Sequence, residues 1–152
     1  MSRIYEIMIL LDNNVVRAGW KEAKAIATGL FEKHGGKVLS ARRWDERKLA
    51  YPIRLRRRGT FLLAYVELAA GSVATLRRDL DLTENVLRYI ILSAETVPAE
   101  ELELTQTENA AGYLVPPPPP EDAPEAVEYE DVAVAAAEDE VEVPAELAEE
   151  EV

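Results

Sequence analysis

Hydrophobic positions in the first part of the chain recur with two periods, one typical of strands and one typical of helices. Residues 4–11 form an apolar run with a single charge at Glu6, which predicts a strand in a sheet covered on one face. Residues 12–14 offer capping side chains, and His34, Gly35 and Gly36 end the helical pattern that follows. The apolar face of this predicted helix consists of Trp20, Ala23, Ala27, Leu30 and Phe31.

The next four segments repeat strand and helix patterns. Residues 37–44 and 60–68 are rich in aliphatic and aromatic side chains and predict two strands that pair as a hairpin. A second helix presents Leu76 and Leu80 on one face, and residues 86–94 supply the last strand. The order βαββαβ predicts an α+β, ferredoxin-like fold, in which a four-stranded antiparallel sheet carries two helices on one face.

Composition changes abruptly near Pro98 and divides the chain into two predicted regions. Eight of the nine prolines lie at or after this residue, including an unbroken run at residues 116–120, and acidic blocks follow. Dense like charge with few bulky apolar side chains gives too little burial to offset chain entropy. We therefore expect a ferredoxin-like domain over residues 1–97 and a disordered, Pro-rich and acidic tail over residues 98–152.

The proline run itself has two interpretations. An extended polyproline segment can act as a spacer, or it can dock in an aromatic-lined groove of a partner. No Lys or Arg flanks the run to orient such docking, so the spacer is favoured.

The net charge is informative only when it is placed along the chain. The whole chain carries −12, which on its own argues against a nucleic-acid partner. Residues 1–97, however, hold all 17 Lys and Arg against 11 acidic residues, a net charge of +6. Residues 98–152 hold 18 acidic residues and no basic ones. The positive excess is confined to residues 42–58, where eight basic residues face only two acidic ones.

This basic segment predicts a polyanion partner. Seven of its eight cations are Arg, whose planar guanidinium binds phosphate bidentately and stacks on bases, so structured RNA is favoured. We expect Pro52 to end strand pairing and to fix the angle at which the following arginines project. We also expect the acidic tail to lower non-specific RNA binding by competing for this segment. The eight cations are Arg42, Arg43, Arg47, Lys48, Arg54, Arg56, Arg57 and Arg58.

Other chemistries have little support in the sequence. Without cysteine there is no disulfide framework or thiolate nucleophile, and no phosphate-binding glycine motif or Ser-His-carboxylate set is present. The lone histidine, His34, suits a donor role at a helix carboxyl end. Apolar runs are too short to span a bilayer, and Glu6 argues against a signal peptide. We expect a cytoplasmic protein that is not an enzyme, with no catalytic residue, cofactor, metal, membrane partner or small-molecule substrate.

Four short motifs resemble a known family. They are Arg3-Ile4-Tyr5-Glu6-Ile7-Met8, Arg47-Lys48-Leu49-Ala50-Tyr51-Pro52-Ile53, Gly59-Thr60-Phe61 and Asn85-Val86-Leu87-Arg88-Tyr89. In this order and spacing, over residues 1–97, the chain resembles the bacterial small-subunit ribosomal protein S6 family. The resemblance implies a ferredoxin-like fold that binds the central domain of 16S rRNA in the small (30S) subunit, together with ribosomal protein S18.

Positions that match the family motifs imply rRNA or partner contacts at particular residues. These are Arg3, the Arg47-Lys48 pair, Tyr51 and Arg88. The other cations of residues 42–58 are added as RNA contacts from the charge pattern. For residues 56–58, which replace a loop that varies in the family, charge is the only argument.

Two alternatives remain open at this point. One is a single-strand RNA-binding module of the RRM type, whose third-strand motif begins like Arg58-Gly59. Thr60 and Phe61 then stand where that motif has an aromatic and a small residue, which counts against it. The other is a ligand-binding regulatory domain of the same fold, which normally accompanies a catalytic domain that this sequence lacks.

Overall fold

The computed structural model describes residues 1–125 of the chain. The elements in order are β1 (Ser2–Leu11), α1 (Asn13–Ala18), α2 (Trp20–Lys33), β2 (Lys37–Ile53), β3 (Arg56–Ala69), α3 (Val73–Leu82), β4 (Val86–Ala94) and α4 (Ala99–Asn109). A short 3-10 turn, Ala70–Ser72, leads into α3. None of the helices among residues 1–125 combines the length and the apolar composition that a membrane span requires.

The four strands form one antiparallel sheet in the order β2-β3-β1-β4. β1 pairs along its whole length with residues 60–69 of β3, from Ser2 opposite Ala69 to Leu11 opposite Thr60. This arrangement confirms the predicted ferredoxin-like fold. It leaves β2 and β4 as the two edges of the sheet.

The hydrophobic core lies between the sheet and helices α2 and α3. Alternate residues of β1, such as Ile7 and Ile9, are fully buried, because successive side chains of a strand point to opposite faces. Phe31 of α2 and Leu76 of α3 pack against them from the same side. Both predicted helical faces are therefore core faces.

The first helical segment is two helices instead of the single one predicted. Asp12 caps α1 by accepting a hydrogen bond from the Asn14 N–H at 3.0 Å, and Gly19 separates α1 from α2. The carboxyl end of α2 is as predicted: Gly35 has a φ of +76°, a left-handed conformation that glycine adopts without strain.

β2 is longer than the predicted residues 37–44 and continues to Ile53. Its pairing with β3 is nevertheless interrupted, because the register moves from Lys48 opposite Arg58 to Ile53 opposite Arg56. Pro52 lies in this interruption and has no N–H to donate to a ladder. Arg54 and Leu55 then form a two-residue loop, with φ values of +47° and +66°.

This loop gives the first testable prediction. Positive φ at both central residues is the pattern of a type I′ turn, which strongly prefers glycine or asparagine over leucine. Leu55 is 94% exposed, so its side chain contributes little packing. Leu55→Gly should raise the free energy of unfolding by about 0.5–1 kcal/mol, measured by urea denaturation. Leu55→Ala is the control and should show no comparable gain, because it retains a Cβ at positive φ.

The segment after residue 97 differs from the expected disordered tail. Residues 99–109 form helix α4, which packs along β2, and residues 110–125 continue across the domain. The physical reason is that carboxylates of this segment find cationic partners on the domain, which composition alone does not reveal. The rest of the predicted tail, residues 126–152, lies outside the described residues, and the division into two regions at residue 98 stays a prediction.

Candidate nucleic-acid interface

The β2–β3 hairpin carries eight of the ten cations predicted to bind RNA, all except Arg3 and Arg88, and within residues 1–125 only some of the eight form ion pairs. Four are in ion pairs with carboxylates: Arg42 with Glu101, Arg47 with Asp45, Arg56 with Asp12 and Arg58 with Glu46. Two of these carboxylates, Asp45 and Glu46, belong to the hairpin itself. The positive charge that faces solvent is therefore smaller than the sequence count suggests.

Arg58 is the most deeply buried of the eight, with only 3% of its surface exposed. Its guanidinium makes two hydrogen bonds to the Glu46 carboxylate, at 2.7 and 2.9 Å, and a third to the Ala123 carbonyl at 2.7 Å. The Glu46 hydrogen bond raises the pKa of the guanidinium. Arg58 is therefore buried and bonded to other residues of the chain, whereas the charge pattern predicted an exposed side chain.

A buried polar network extends from this ion pair. The Asn13 amide donates to the Glu46 carboxylate at 3.4 Å and accepts from the Thr60 hydroxyl at 2.7 Å. Asn13 and Thr60 are both completely buried. Buried polar groups of this kind are stable only when they are hydrogen-bonded, and here each one is.

Arg42 is likewise engaged within the chain. Its guanidinium bonds both carboxylate oxygens of Glu101 in α4, at 2.5 and 2.8 Å, which raises its pKa. Nearby, Tyr65 donates to Glu6 at 2.8 Å and is 5% exposed. Burial, and then the Glu6 hydrogen bond, raises the pKa of the Tyr65 hydroxyl to about 12.

Four predicted residues converge on one exposed surface, which we call the Tyr51 surface: Lys48, Tyr51, Arg57 and Arg88. The Tyr51 ring is 57% exposed, and the Arg88 guanidinium lies 5.8 Å from its centroid, within range of a cation–π contact. Lys48 and Arg57 line a cleft of about 360 Å³ beside the same ring. Both of these side chains are exposed.

Two further aromatic contacts lie on the hairpin. The Arg47 guanidinium is 4.6 Å from the Trp44 ring centroid, and Trp44 meets Phe61 edge to face at 5.8 Å. Trp44 is 37% exposed, so it is partly core and partly surface. Its accessible part could stack against a base, although the Arg47 guanidinium already lies over the ring.

Not all of the predicted residues reach the Tyr51 surface. Arg54 lies in the turn and donates to the carbonyls of Glu84 and Val86, and Arg43 is half-buried beside α4. Arg3 is at the opposite end of β1, paired with Leu68 and about 25 Å from the hairpin end of that strand. If Arg3 contacts RNA or a partner, it does so at a separate place.

Sequence reasoning missed the carboxylates that meet the hairpin from the tail. Glu108 accepts from the Trp20 indole at 2.7 Å, from Lys24 at 3.1 Å and from the Arg43 backbone N–H at 2.6 Å. The sequence did contain a signal for these contacts: Glu101 and Glu108 are seven residues apart, so in a helix they share one face.

His34 lies at the predicted helix end, but its partners are side chains of α3. Its Nε2 is 2.8 Å from the Asp79 carboxylate, and its Nδ1 is 3.3 Å from the Thr75 hydroxyl. Hydrogen bonds from Lys33 and then His34 lower the pKa of Asp79. His34 therefore links α2 to α3, and residues 1–125 contain no group of three side chains suited to holding a metal.

Comparisons with known proteins give concordant matches. The family model described as ribosomal protein S6 matches residues 4–93. The small ribosomal subunit protein bS6 of Fusobacterium nucleatum subsp. nucleatum is 31% identical over 93 residues, covering 61% of this chain and 99% of the relative. The same protein of Bartonella tribocorum is 33% identical over 92 residues, which cover 60% of this chain and 68% of the relative. The crystal structure of 30S ribosomal protein S6 from Thermotoga maritima matches this chain with a TM-score of 0.55 and 22% sequence identity. The match covers 62% of this chain and 89% of that protein, and it supports the fold.

Proposed function

Because the chain belongs to the ribosomal protein S6 family, we propose that it binds 16S rRNA jointly with ribosomal protein S18. As a member of this family it is a ribosome-associated cytoplasmic protein of the small subunit and not an enzyme. The rRNA would be contacted in its central domain, through the β2–β3 hairpin. The binding is structural: phosphate neutralisation supplies affinity, and docking with the partner protein supplies the position.

The Tyr51 surface is the observation that carries this proposal. Lys48, Arg57 and Arg88 place three exposed cations around one exposed aromatic ring. Cations that neutralise phosphates beside a ring on which a base can stack are the usual elements of RNA recognition. This cluster combines motif residues of the family, Lys48, Tyr51 and Arg88, with one residue predicted from charge alone, Arg57.

The partner protein has a separate candidate surface. Met8, Ile90 and Leu63 face one another across β1, β4 and β3 on the side of the sheet opposite α2 and α3. Ile90 is 51% exposed, and Leu92 on the same face is 49% exposed. Leu63 is only 6% exposed, so the accessible apolar area lies mainly on β4, and such an area suits a protein partner better than a phosphate backbone.

The RRM alternative is disfavoured by the third strand. An RRM stacks bases on exposed aromatic rings of its sheet face. Tyr65, on the corresponding face of β3, is 5% exposed and bonded to Glu6. It therefore offers no ring to a base.

The proposal predicts partner-dependent binding. The full chain should bind a fragment of the 16S rRNA central domain weakly alone and at least about tenfold more tightly with S18 present, a coupling of about 1.4 kcal/mol. Filter binding at several salt concentrations measures both quantities, and log affinity should fall linearly with log salt. Equal affinity for unrelated single strands, with no gain from S18, would support the RRM alternative instead.

A further inference from the structure

Two adjacent backbone N–H groups of β3 bind one carboxylate oxygen from outside the sheet. The N–H groups of Arg57 and Arg58 donate to the same Oε2 of Glu121, at 2.8 and 3.0 Å. The Arg57 N–H is available because the register of β2 jumps between Lys48 and Ile53 and leaves Arg57 without a paired residue on that strand, whereas Arg58 lies opposite Lys48. At the edge of this interruption the two N–H groups converge on a single carboxylate oxygen.

The surroundings of this donor pair suit an anion. Lys48 and Arg57 line the cleft that holds Glu121, and Arg58 lies close enough for the Glu121 charge to help raise its pKa. Consecutive backbone N–H groups converging on one point form anion-binding concavities in many proteins. The donors and the neighbouring cations come from the hairpin, independently of the tail residue that fills the site, and the one other charged residue that lines the cleft, Asp122, belongs to the tail with Glu121.

Glu121 fills this position incompletely. Its second carboxylate oxygen, Oε1, is buried and has no hydrogen-bond partner among the described residues. A buried acceptor without a partner costs free energy, so the carboxylate is a poorer occupant than an anion whose oxygens could all be satisfied. The Arg58 bonds to the carbonyls of Ala123 and Pro124, at 2.7 and 3.2 Å, hold the segment against the hairpin.

We propose that the N–H groups of Arg57 and Arg58 form a phosphate-binding site, which Glu121 occupies in the free protein and an RNA backbone phosphate takes over on binding. The tail is then a tethered competitor that imitates phosphate at one defined point of the hairpin. The identity of the polyanion as rRNA rests on the proposed function, whereas the anion site itself does not. Weakly held RNA would fail to displace Glu121, so the competition favours the specific complex over non-specific ones.

Inorganic phosphate tests the site without RNA. In the full-length protein, ¹⁵N NMR should show that phosphate shifts the Arg57 and Arg58 amide resonances saturably in Glu121→Ala, with an affinity about five- to tenfold above that of the unaltered chain. Glu103→Ala removes the same charge from an exposed tail position and should behave as the unaltered chain. Equal phosphate responses in the two variants would overturn the proposal.

A second variant tests whether the effect of Glu121→Ala comes from unfolding of the tail segment that carries Glu121. Glu121→Gln keeps the size of the side chain and a carbonyl acceptor but removes the charge, so its phosphate affinity should lie between the unaltered chain and Glu121→Ala. Unchanged resonances of Arg42 and Arg43, which meet α4, would show that the helix stays in place. A Glu121→Gln affinity no higher than that of the unaltered chain, with α4 in place, would also contradict the proposal.

A binding measurement with RNA distinguishes failure of this inference from failure of the proposed function. With an unrelated single-stranded RNA at low salt, Glu121→Ala should bind about fivefold more tightly than Glu103→Ala. A positive phosphate result with no partner-dependent rRNA binding would retain the anion site and reject the proposed function. Conversely, partner-dependent rRNA binding with no phosphate response in Glu121→Ala would reject the anion site alone.

Discussion

Replacing Glu46 by glutamine should lower the free energy of unfolding by about 3–5 kcal/mol, because it leaves the buried Arg58 guanidinium without a counter-charge. The side chains of Arg58 and Glu46 are only 4% and 6% exposed, so water cannot compensate for the lost carboxylate. Glu46 also accepts from Asn13, which ties the ion pair to the buried Thr60 hydroxyl. Urea denaturation followed by circular dichroism measures the change.

Asp45→Asn is the matched control for this experiment. It removes a neighbouring carboxylate that pairs with Arg47, but those side chains are 43% and 49% exposed. Exposed pairs contribute about 0–1 kcal/mol, so the control should lose no more than that. Similar losses in both variants would show that Arg58 and Glu46 are solvated in the molecule.

Removing the three cations of the Tyr51 surface should have the largest effect on RNA binding. In the triple variant Lys48→Ala, Arg57→Ala, Arg88→Ala, the affinity for the 16S rRNA fragment with S18 should fall about a hundredfold, at about 1 kcal/mol for each lost phosphate contact. The slope of log affinity against log salt should become shallower by about 2–3, since each neutralised phosphate contributes about one. Filter binding across a salt series gives both values.

The control variant removes three positive charges, as the triple variant does, but from a different part of the surface. Lys21, Arg77 and Arg78 are exposed cations of α2 and α3, and none of them belongs to the hairpin. Replacing all three by alanine should leave the salt slope almost unchanged. If the control lowers affinity and slope as much as the Tyr51 variant does, RNA contact is diffuse, and the proposed interface is wrong.

The sequence predicted the sheet and its helices well, because strong periodic patterns determine them. The apolar run of β1 and the helical spacing of Trp20, Ala23 and Ala27 are local properties of the sequence, and they reflect burial in the core. The fold class followed from the order of these elements. The length of β2 did not, because Pro52 weakens a strand pattern that the hairpin with β3 nevertheless continues.

The candidate site was predictable as a segment but not residue by residue. Charge located the hairpin, but the burial of Arg58 depends on Glu46, which lies across the β2–β3 register and twelve residues earlier. The engagement of Arg42 depends on Glu101, fifty-nine residues later, in a segment whose composition predicted disorder. Such partnerships are set by tertiary contacts, and no local pattern encodes them.

Helix α4 has a consequence for how copies of this chain meet one another. β2 is an edge of the sheet, and an uncovered edge offers N–H and C=O groups to which a strand of another molecule can add. The Glu108 carboxylate accepts from the Arg43 N–H of β2, and Glu121 accepts from the N–H groups of Arg57 and Arg58 in β3, where Arg57 has no paired residue on β2. The acidic segment therefore obstructs intermolecular strand addition along this side of the sheet, and with it one route to aggregation.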